Sequence, residues 1–292
     1  MADHKPIDEE TGVVTTGHEW DGIRELDNPL PRWWLYIFYA TCAWAVVYWV
    51  FMPAWPGLPG TSFYTKGVRG HSDRANVAAE IAELEAARSA PFARLETAGL
   101  STITEDPELL TFTLAAGASL FGDNCATCHG EGGAGAKGFP NLNDDIWLWG
   151  GEFPEIRQTI AYGVRNDHVE TRFSQMPAYG RDGIFTETEI SDLVEYVVHI
   201  SGREADAEAV ARASVNFEQQ CSACHGAEGK GDQFIGAPNL TDQYWLYGGE
   251  RSDLYTTVYN ARYGVMPAFS ERLEPAEITA LAAYVHTLGG GQ

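Results

Sequence analysis

Basic side chains are scarce in this sequence: 19 Lys and Arg stand against 41 Asp and Glu, a formal net charge of −22. The deficit excludes direct nucleic-acid binding, because neutralising phosphates needs clustered cations. It suits a surface that meets a positively charged partner. Cysteine is scarce too, five in 292 residues, which excludes a disulfide-stapled scaffold. Methionine is scarcer still, with four. Past residue 105 no convincing alternation of apolar and polar residues marks a strand. The apolar content is ordinary at 45%, enough for real cores and too much for wholesale disorder. The length suits about two compact domains with additions.

One stretch has no charge at all. From Trp33 to Met52 run 20 uncharged residues, roughly 30 Å of helix and a match to the hydrocarbon core of a bilayer. Arg32 bounds one end; Pro53, Pro56 and Pro59 bound the other, and Lys66 is the next charge. Trp33, Trp34 and Tyr36 at one boundary and Trp49 and Trp55 at the other read as interfacial aromatic belts. A buried helix of a soluble core rarely runs so far without a charged or amide side chain. A cleaved signal peptide fits poorly, since 32 mostly acidic residues precede the stretch and no Ala-x-Ala site follows it. The reading is an uncleaved, single-span anchor. Lys5, Arg24 and Arg32 precede it and Lys66, Arg69 and Arg74 follow, so charge alone leaves its orientation undecided. Cys42, in mid-span, reads as a small packing residue rather than a reactive thiol.

Beyond the span, Asp73 to Ala90 has Val77, Ile81 and Leu84 at helical spacing and reads as a connecting helix stopped by Pro91. Then the chain repeats itself. Phe121-x-x-x-Cys125-Ala-Thr-Cys128-His129-Gly130 matches Phe217-x-x-x-Cys221-Ser-Ala-Cys224-His225-Gly226 at an offset of 96. Pro140-Asn141-Leu142 matches Pro238-Asn239-Leu240, and Trp147-Leu148-Trp149-Gly150-Gly151 matches Trp245-Leu246-Tyr247-Gly248-Gly249, both at 98. Met176-Pro177-Ala178-Tyr179 matches Met266-Pro267-Ala268-Phe269 at 90. The first copy therefore carries about eight extra residues, around Asn166 to Ser174. Each copy reads as a helix, a Cys-x-x-Cys-His turn, a long loop, a Met loop and a final helix. Pro107 suits the first turn of a helix running to Phe121. Thr186 and Glu189 form a capping box for a helix ending at Gly202, and Pro275 and Glu277 open its counterpart, which ends at Gly289. The division is 1–32, an amino-terminal segment; 33–55, the anchor; 56–105, a linker with a helix; and two repeat domains, 106–202 and 203–292.

Cys-x-x-Cys-His is the attachment signature of c-type haem. Two thiols three positions apart reach the two vinyl groups of one porphyrin, and the next residue puts an imidazole under the iron. A zinc site would have to gather ligands from pairs far apart in sequence and would leave both histidines unexplained. A thioredoxin-like dithiol would want a preceding strand and would not occur twice. Two covalent haems c are therefore expected, at Cys125 and Cys128 and at Cys221 and Cys224, with His129 and His225 as proximal ligands. Of the four methionines, Met1 is the initiator and Met52 belongs to the span. Met176 and Met266 remain, one per copy, as sixth ligands. Met/His coordination raises the reduction potential and leaves no open position for oxygen or peroxide, so no catalytic residues are expected here. His168, His199 and His286 read as surface or packing residues. Pro140 and Pro238 follow the haem histidines by 11 and 13 residues, where a carbonyl can accept the imidazole N–H and fix the ring. Residues 106–202 carry 15 acidic and 5 basic side chains and residues 203–292 carry 12 and 6, which suits docking of a basic donor.

The two copies resemble class I cytochrome c domains over roughly residues 106–292. His18-Glu19-Trp20-Asp21-Gly22-Ile23-Arg24-Glu25-Leu26-Asp27-Asn28-Pro29-Leu30-Pro31-Arg32-Trp33-Trp34 resembles the segment before the anchor in subunit III of cbb3-type cytochrome c oxidases. The resemblance covers nearly the whole chain, with one span where some members have two. It implies an all-α fold: one N-terminal transmembrane helix followed by two tandem class I cytochrome c domains. It implies a non-catalytic dihaem subunit of a proton-pumping oxidase, taking electrons from a soluble or membrane cytochrome c. These pass towards a monohaem cytochrome subunit and a catalytic subunit with haem b and copper. It also implies exchanged sixth ligands, Met266 for the Cys125/Cys128 haem and Met176 for the Cys221/Cys224 haem. The spacing leaves that open, because 47 residues from His129 to Met176 and 41 from His225 to Met266 both work within one copy. Under exchange, a fragment ending before Arg203 loses methionine ligation. Haem attachment on the export side puts the amino terminus in the cytoplasm and the haem domains in the periplasm of a bacterial inner membrane. A free-standing dihaem shuttle shares every haem feature. A dihaem peroxidase would need a vacant sixth position.

Overall fold

The computed structural model describes residues 6–57 and 63–289, so Met1, Lys5, Pro59 and the last three positions of the 203–292 range lie outside the described residues. The chain divides into two compact units, residues 1–84 and 85–292.

The first unit opens with an element the helical reading did not include. Strands β1 (Thr15–Trp20) and β2 (Ile23–Leu26) form an antiparallel hairpin. Its turn is Asp21-Gly22, both at positive φ, 50° and 84°. That backbone matches the right-handed twist of paired strands, and Asp-Gly is its commonest sequence. Helix α1 (Arg32–Phe51) begins one residue before the expected span, is 20 residues long, and buries none of them. Trp49 and Trp55 meet edge to face at its far end, 5.1 Å between centroids.

Helix α2 (Asp73–Leu95) corrects the expected stop at Pro91, because it continues through the proline for another turn. Proline in a helix interior costs about 3 kcal/mol through the lost N–H and the clash with the preceding turn. The turn beyond it buries Leu95 completely and sets Phe92 against Phe112 at 5.2 Å. Fully burying Leu95 contributes about 1.5–3 kcal/mol, and half-burying Phe92 adds to it, which together offset the break.

In the second unit, α3 (Leu100–Glu105), α4 (Pro107–Asn124) and the single-turn α5 (Ala126–His129) lead into the first long loop and α6 (Phe153–Tyr162). Then follow α7 (Glu187–Ile200), α8 (Ala207–Gln220), the single-turn α9 (Ser222–His225), α10 (Arg251–Asn260) and α11 (Pro275–His286). Local chemistry starts these helices where the sequence says. Asp106 accepts from the Glu108 and Leu109 amides ahead of Pro107, and Thr186 with Glu189 forms the expected capping box. Glu274 and Glu277 form another around Pro275.

The packing crosses the two copies. Helix α4, first of the first copy, lies against α11, last of the second, and α6 joins them. Leu109, Phe121, Cys125, Ile156 and Ile160 share one core with Phe269, Ile278, Leu281 and Val285. Reciprocally α8 lies against α7, with α10 beside α7; Leu193, Ala213 and Phe217 form one cluster, and Val194, Val198 and Leu254 another. The two crossings share a signature, Phe121 on Tyr284 at 5.5 Å and Phe217 on Tyr196 at 4.6 Å.

The α7–α8 pair carries a polar clasp. Arg212 donates to both oxygens of Asp192, at 2.8 and 2.7 Å. The guanidinium holds the Asp192 carboxyl below the usual carboxylate range. A carboxyl depressed on folding adds stability above its unfolded pKa, about 3.9, and that stability is lost as pH falls through the folded value. Asp192→Asn is therefore expected to melt at a lower temperature than the unchanged protein at pH 7. The gap should shrink as the solution is taken below about pH 4. A gap that stays constant across a series of thermal melts would contradict the assignment.

Candidate functional site

Each Cys-x-x-Cys-His motif is one helical turn set at the end of a longer helix. Cys125 and Cys221 cap α4 and α8, their amides donating to the Phe121 and Phe217 carbonyls at 2.8 and 2.9 Å. The first thiol of each pair faces inward and the second is exposed. Burial pushes the Cys125 and Cys221 thiols up to about 11, with the neighbouring cysteine adding to the shift. Such thiols are not poised as thiolates at neutral pH, which is the opposite of a reactive dithiol.

The histidines point one way. His129 Nδ1 lies 3.0 Å from the Pro140 carbonyl, and His225 Nδ1 lies 2.9 Å from that of Pro238. A carbonyl only accepts, so Nδ1 is the protonated nitrogen and Nε2 carries the lone pair. Burial pushes His225 below its ordinary pKa, partly offset by the bond to Pro238, which favours the neutral, ligating form. The loops are closed beneath the rings by the Gly135 and Gly231 amides on the His129 and His225 carbonyls, at 2.6 and 2.8 Å. Two thiols, a neutral imidazole with a free Nε2 and a braced loop are the donor set that a haem c takes.

The methionine loops dock across the copies. Met266 packs against the core that contains Cys125. Its backbone pairs with Val164 of the first copy, N to O at 2.9 Å and O to N at 3.0 Å, and its carbonyl also accepts from Asn166 Nδ2 at 2.8 Å. The Phe269 and Ser270 amides close the loop onto the Ala161 carbonyl at the end of α6, both at 3.0 Å. The Met176 loop does the equivalent thing at the end of α10, where the Gly180 and Arg181 amides donate to the Tyr259 carbonyl at 3.2 and 3.0 Å. Tyr179 from that loop donates to the Gln220 carbonyl at 2.8 Å, next to Cys221; its phenol is pushed up to about 12, by burial first and by Cys221 and Cys224 after it. The structure thus packs Met266 against the core that holds the first Cys turn and docks the loop that carries Met176 beside Cys221.

The repeated Trp149 and Tyr247 acquire partners that motif reading did not supply. The Trp149 ring lies against Gly236, where a side chain would meet it at 2.3 Å, and Tyr247 lies against the equivalent Gly138. Arg172 stacks over Trp149 at 5.5 Å and Arg262 over Tyr247 at 5.2 Å. Lys137 pairs with Asp253 at 2.7 Å, and the Gly138 amide donates to the Leu246 carbonyl at 2.7 Å, tying the copies together. The common offset of 98 between Gly138 and Gly236 and between Trp149 and Tyr247 was the signal available for these contacts. Of the weaker histidines, His168 stacks on Tyr162 at 5.0 Å and accepts from the Glu170 amide, while His199 is exposed on α7.

Comparison with known proteins covers the full length of the chain. Residues 12–59 match the N-terminal domain of cytochrome oxidase-cbb3, FixP. Residues 114–201 match cytochrome c, and residues 208–285 match cytochrome c oxidase, cbb3-type, subunit III. A cbb3-type cytochrome c oxidase subunit FixP from Bradyrhizobium sp. (strain ORS 278) is 51% identical over all of both chains. A subunit CcoP from Azospirillum sp. (strain B510) is 49% identical over 98% of each chain. Another from Cereibacter sphaeroides is 48% identical over 99% of each. An anchor-length apolar helix, two Cys-x-x-Cys-His turns and relatives matched end to end leave one conclusion: the chain belongs to the FixP/CcoP family of cbb3-type cytochrome c oxidase subunits.

Proposed function

We propose that the chain is the dihaem electron-input subunit of a cbb3-type oxidase, non-catalytic in itself. It takes electrons from a cytochrome c donor and relays them towards a monohaem cytochrome subunit and a haem b/copper catalytic subunit. The observation that carries the reading is the pair of Cys-x-x-Cys-His turns, each with its imidazole braced by a proline carbonyl. Cys125 and Cys128 hold one haem c covalently and Cys221 and Cys224 the other, with His129 and His225 as proximal ligands. Each bound haem c supplies one reversibly stored electron. Pro140 and Pro238 fix the imidazole orientation, and Met266 and Met176 fill the sixth positions across the copies. With His129, His225, Met176 and Met266 all serving as ligands, the chain would leave no coordination position open once haem is bound, which separates electron transfer from peroxidase chemistry.

Helix α1 anchors the chain in a bacterial inner membrane with its amino terminus in the cytoplasm. The repeat domains stand in the periplasm, because covalent haem attachment takes place on the export side. Their acidic surface receives a basic donor cytochrome, an attraction that weakens as salt rises.

The test is isolation in mild detergent through a carboxy-terminal tag, followed by pigment and metal assay. Haem b, copper and cytochrome c-dependent oxygen uptake should co-purify with two haems c per chain. Two haems c with no copper and no oxygen uptake would point to a free-standing shuttle, and peroxide turnover would point to an enzyme.

A further inference from the structure

Arg165 is the last residue before the eight-residue insertion of the first copy, and at the offset of 98 its counterpart is Tyr263. The guanidinium lies over that ring, its Cζ 5.9 Å from the centroid. A residue that meets its own repeat counterpart sits where the two copies turn about one another. From there it donates two hydrogen bonds, Nε to the Gly264 carbonyl at 2.8 Å and Nη1 to the Ser174 carbonyl at 3.2 Å. Gly264 and Ser174 are equivalent positions, each two residues before the methionine of its loop, Met266 and Met176. One side chain therefore spans both methionine loops at matching atoms.

The arrangement is costly. Arg165 has a left-handed backbone, φ 53°, a strained conformation for a residue with a Cβ. The insertion enforces it: the Arg165 amide donates to the Arg172 carbonyl at 2.8 Å, and the Arg172 amide to the Gly163 carbonyl at 3.1 Å. The side chain is half-buried and, among the described residues, has no carboxylate partner; burial pushes the guanidinium below its ordinary pKa, offset only by the phenols of Tyr247 and Tyr263. By contrast Arg262, on the other aromatic stack, has Asp253 at 3.8 Å.

We infer that Arg165 is a positioning residue shared by both haem sites, one guanidinium that holds the two methionine loops in register and places a positive charge between them. The inference rests on the proposed ligation of the irons by Met176 and Met266. The planar fork of arginine fixes two acceptors in one geometry, which a lysine ammonium cannot do at these separations. The charge favours the reduced state at both sites, since reduction adds negative charge near it. The two sites are then coupled through one residue.

The experiment uses the full-length, detergent-solubilised protein with both haems attached, read by redox titration and by the methionine–iron absorption of the ferric form. The unsubstituted protein comes first. A missing methionine signature there overturns the ligation reading and this inference with it. With that signature present, Arg165→Gln is expected to lower both potentials, each ferric/ferrous equilibrium moving at least tenfold, about 59 mV for a one-electron couple. The methionine signature should weaken at both haems. Arg165→Lys keeps the charge without the fork and is expected to recover the potentials only in part, with the methionine signature still reduced at both sites. It carries the test alone if the glutamine variant fails to load haem. Movement of one redox wave only, no movement of either, or full restoration by lysine would overturn the shared clamp.

Discussion

Gly117→Ala is expected to destabilise the second unit, although alanine is the better helix former by about 1 kcal/mol. Gly117 lies on α4 where α11 crosses it. A Cβ there would stand 2.5 Å from the Ala280 carbonyl oxygen and 2.5 Å from Tyr284 Cβ. Neither atom is the loose end of a flexible side chain, so the crossing helices themselves would have to part. Overpacking typically costs about 1–3 kcal/mol and more where backbone must move, so the clash outweighs the propensity gain. A net loss of about 2 kcal/mol corresponds to a fall of roughly 4–8 °C in Tm for a unit of this size. Gly117→Leu should go further and prevent the crossing. Because α4 presents Cys125 and α11 completes the core beside it, that variant should also fail to retain haem at the first site. The reciprocal crossing provides the control. At the offset of 96 the residue on α8 is Ala213, fully buried, so the α7–α8 contact accepts a methyl group where α4–α11 does not. Ala213→Gly should cost only about 1–2 kcal/mol, from lost propensity and a methyl-sized cavity. Thermal melts with haem stoichiometry on the three variants decide the matter. A Gly117→Ala protein as stable as the parent would refute the close approach.

The elements that local chemistry specifies could be read from the chain alone. The uncharged run became α1, the capping box at Thr186 and Glu189 became the start of α7, and the Cys-x-x-Cys-His motifs became two short turns on helix ends. The Asp21-Gly22 hairpin was legible in principle, since the dipeptide carries its own backbone signal, but charged and apolar residues are mixed around it and no clean alternation announces the strands. Pro91 misled because a local breaker was outweighed by the burial of Leu95 and the packing of Phe92 on Phe112, which no local rule contains. The crossing of the copies was illegible for a deeper reason. A duplication gives α7 and α11 the same apolar face and the same aromatic, Tyr196 and Tyr284, so either could serve α4 or α8 as far as pattern goes. What selects the partner is non-local: the Met266 backbone pairing with Val164, the insertion that holds it, and the steric match of Gly117 to Ala280. Sequence similarity between copies says which segments are alike and is silent on which copy each one packs with.

That crossing determines how the methionine exchange has to be tested. A fragment ending before Arg203 would lose α11 as well as Met266, exposing the α4 face formed by Leu109, Thr113, Gly117 and Phe121. Lost methionine ligation in such a fragment would report unfolding as readily as exchange. The cleaner experiment keeps the chain whole and removes one haem. With Cys221→Ala and Cys224→Ala, only the haem at Cys125 and Cys128 remains. In that background Met266→Leu should abolish the methionine–iron absorption completely and lower the potential of the remaining haem. Met176→Leu should leave both nearly untouched. The swap of methionine for leucine nearly conserves volume and costs under about 1.5 kcal/mol, so folding survives and the thioether alone is at stake. With Cys125→Ala and Cys128→Ala the dependence should reverse. Ligation within each copy predicts the opposite pattern in both backgrounds. The physical ground for expecting exchange is that each loop is closed by main-chain bonds onto the other copy, Ser270 onto Ala161 and Gly180 onto Tyr259. Those bonds, and for Met266 the pair with Val164, hold each loop on the copy opposite its own histidine.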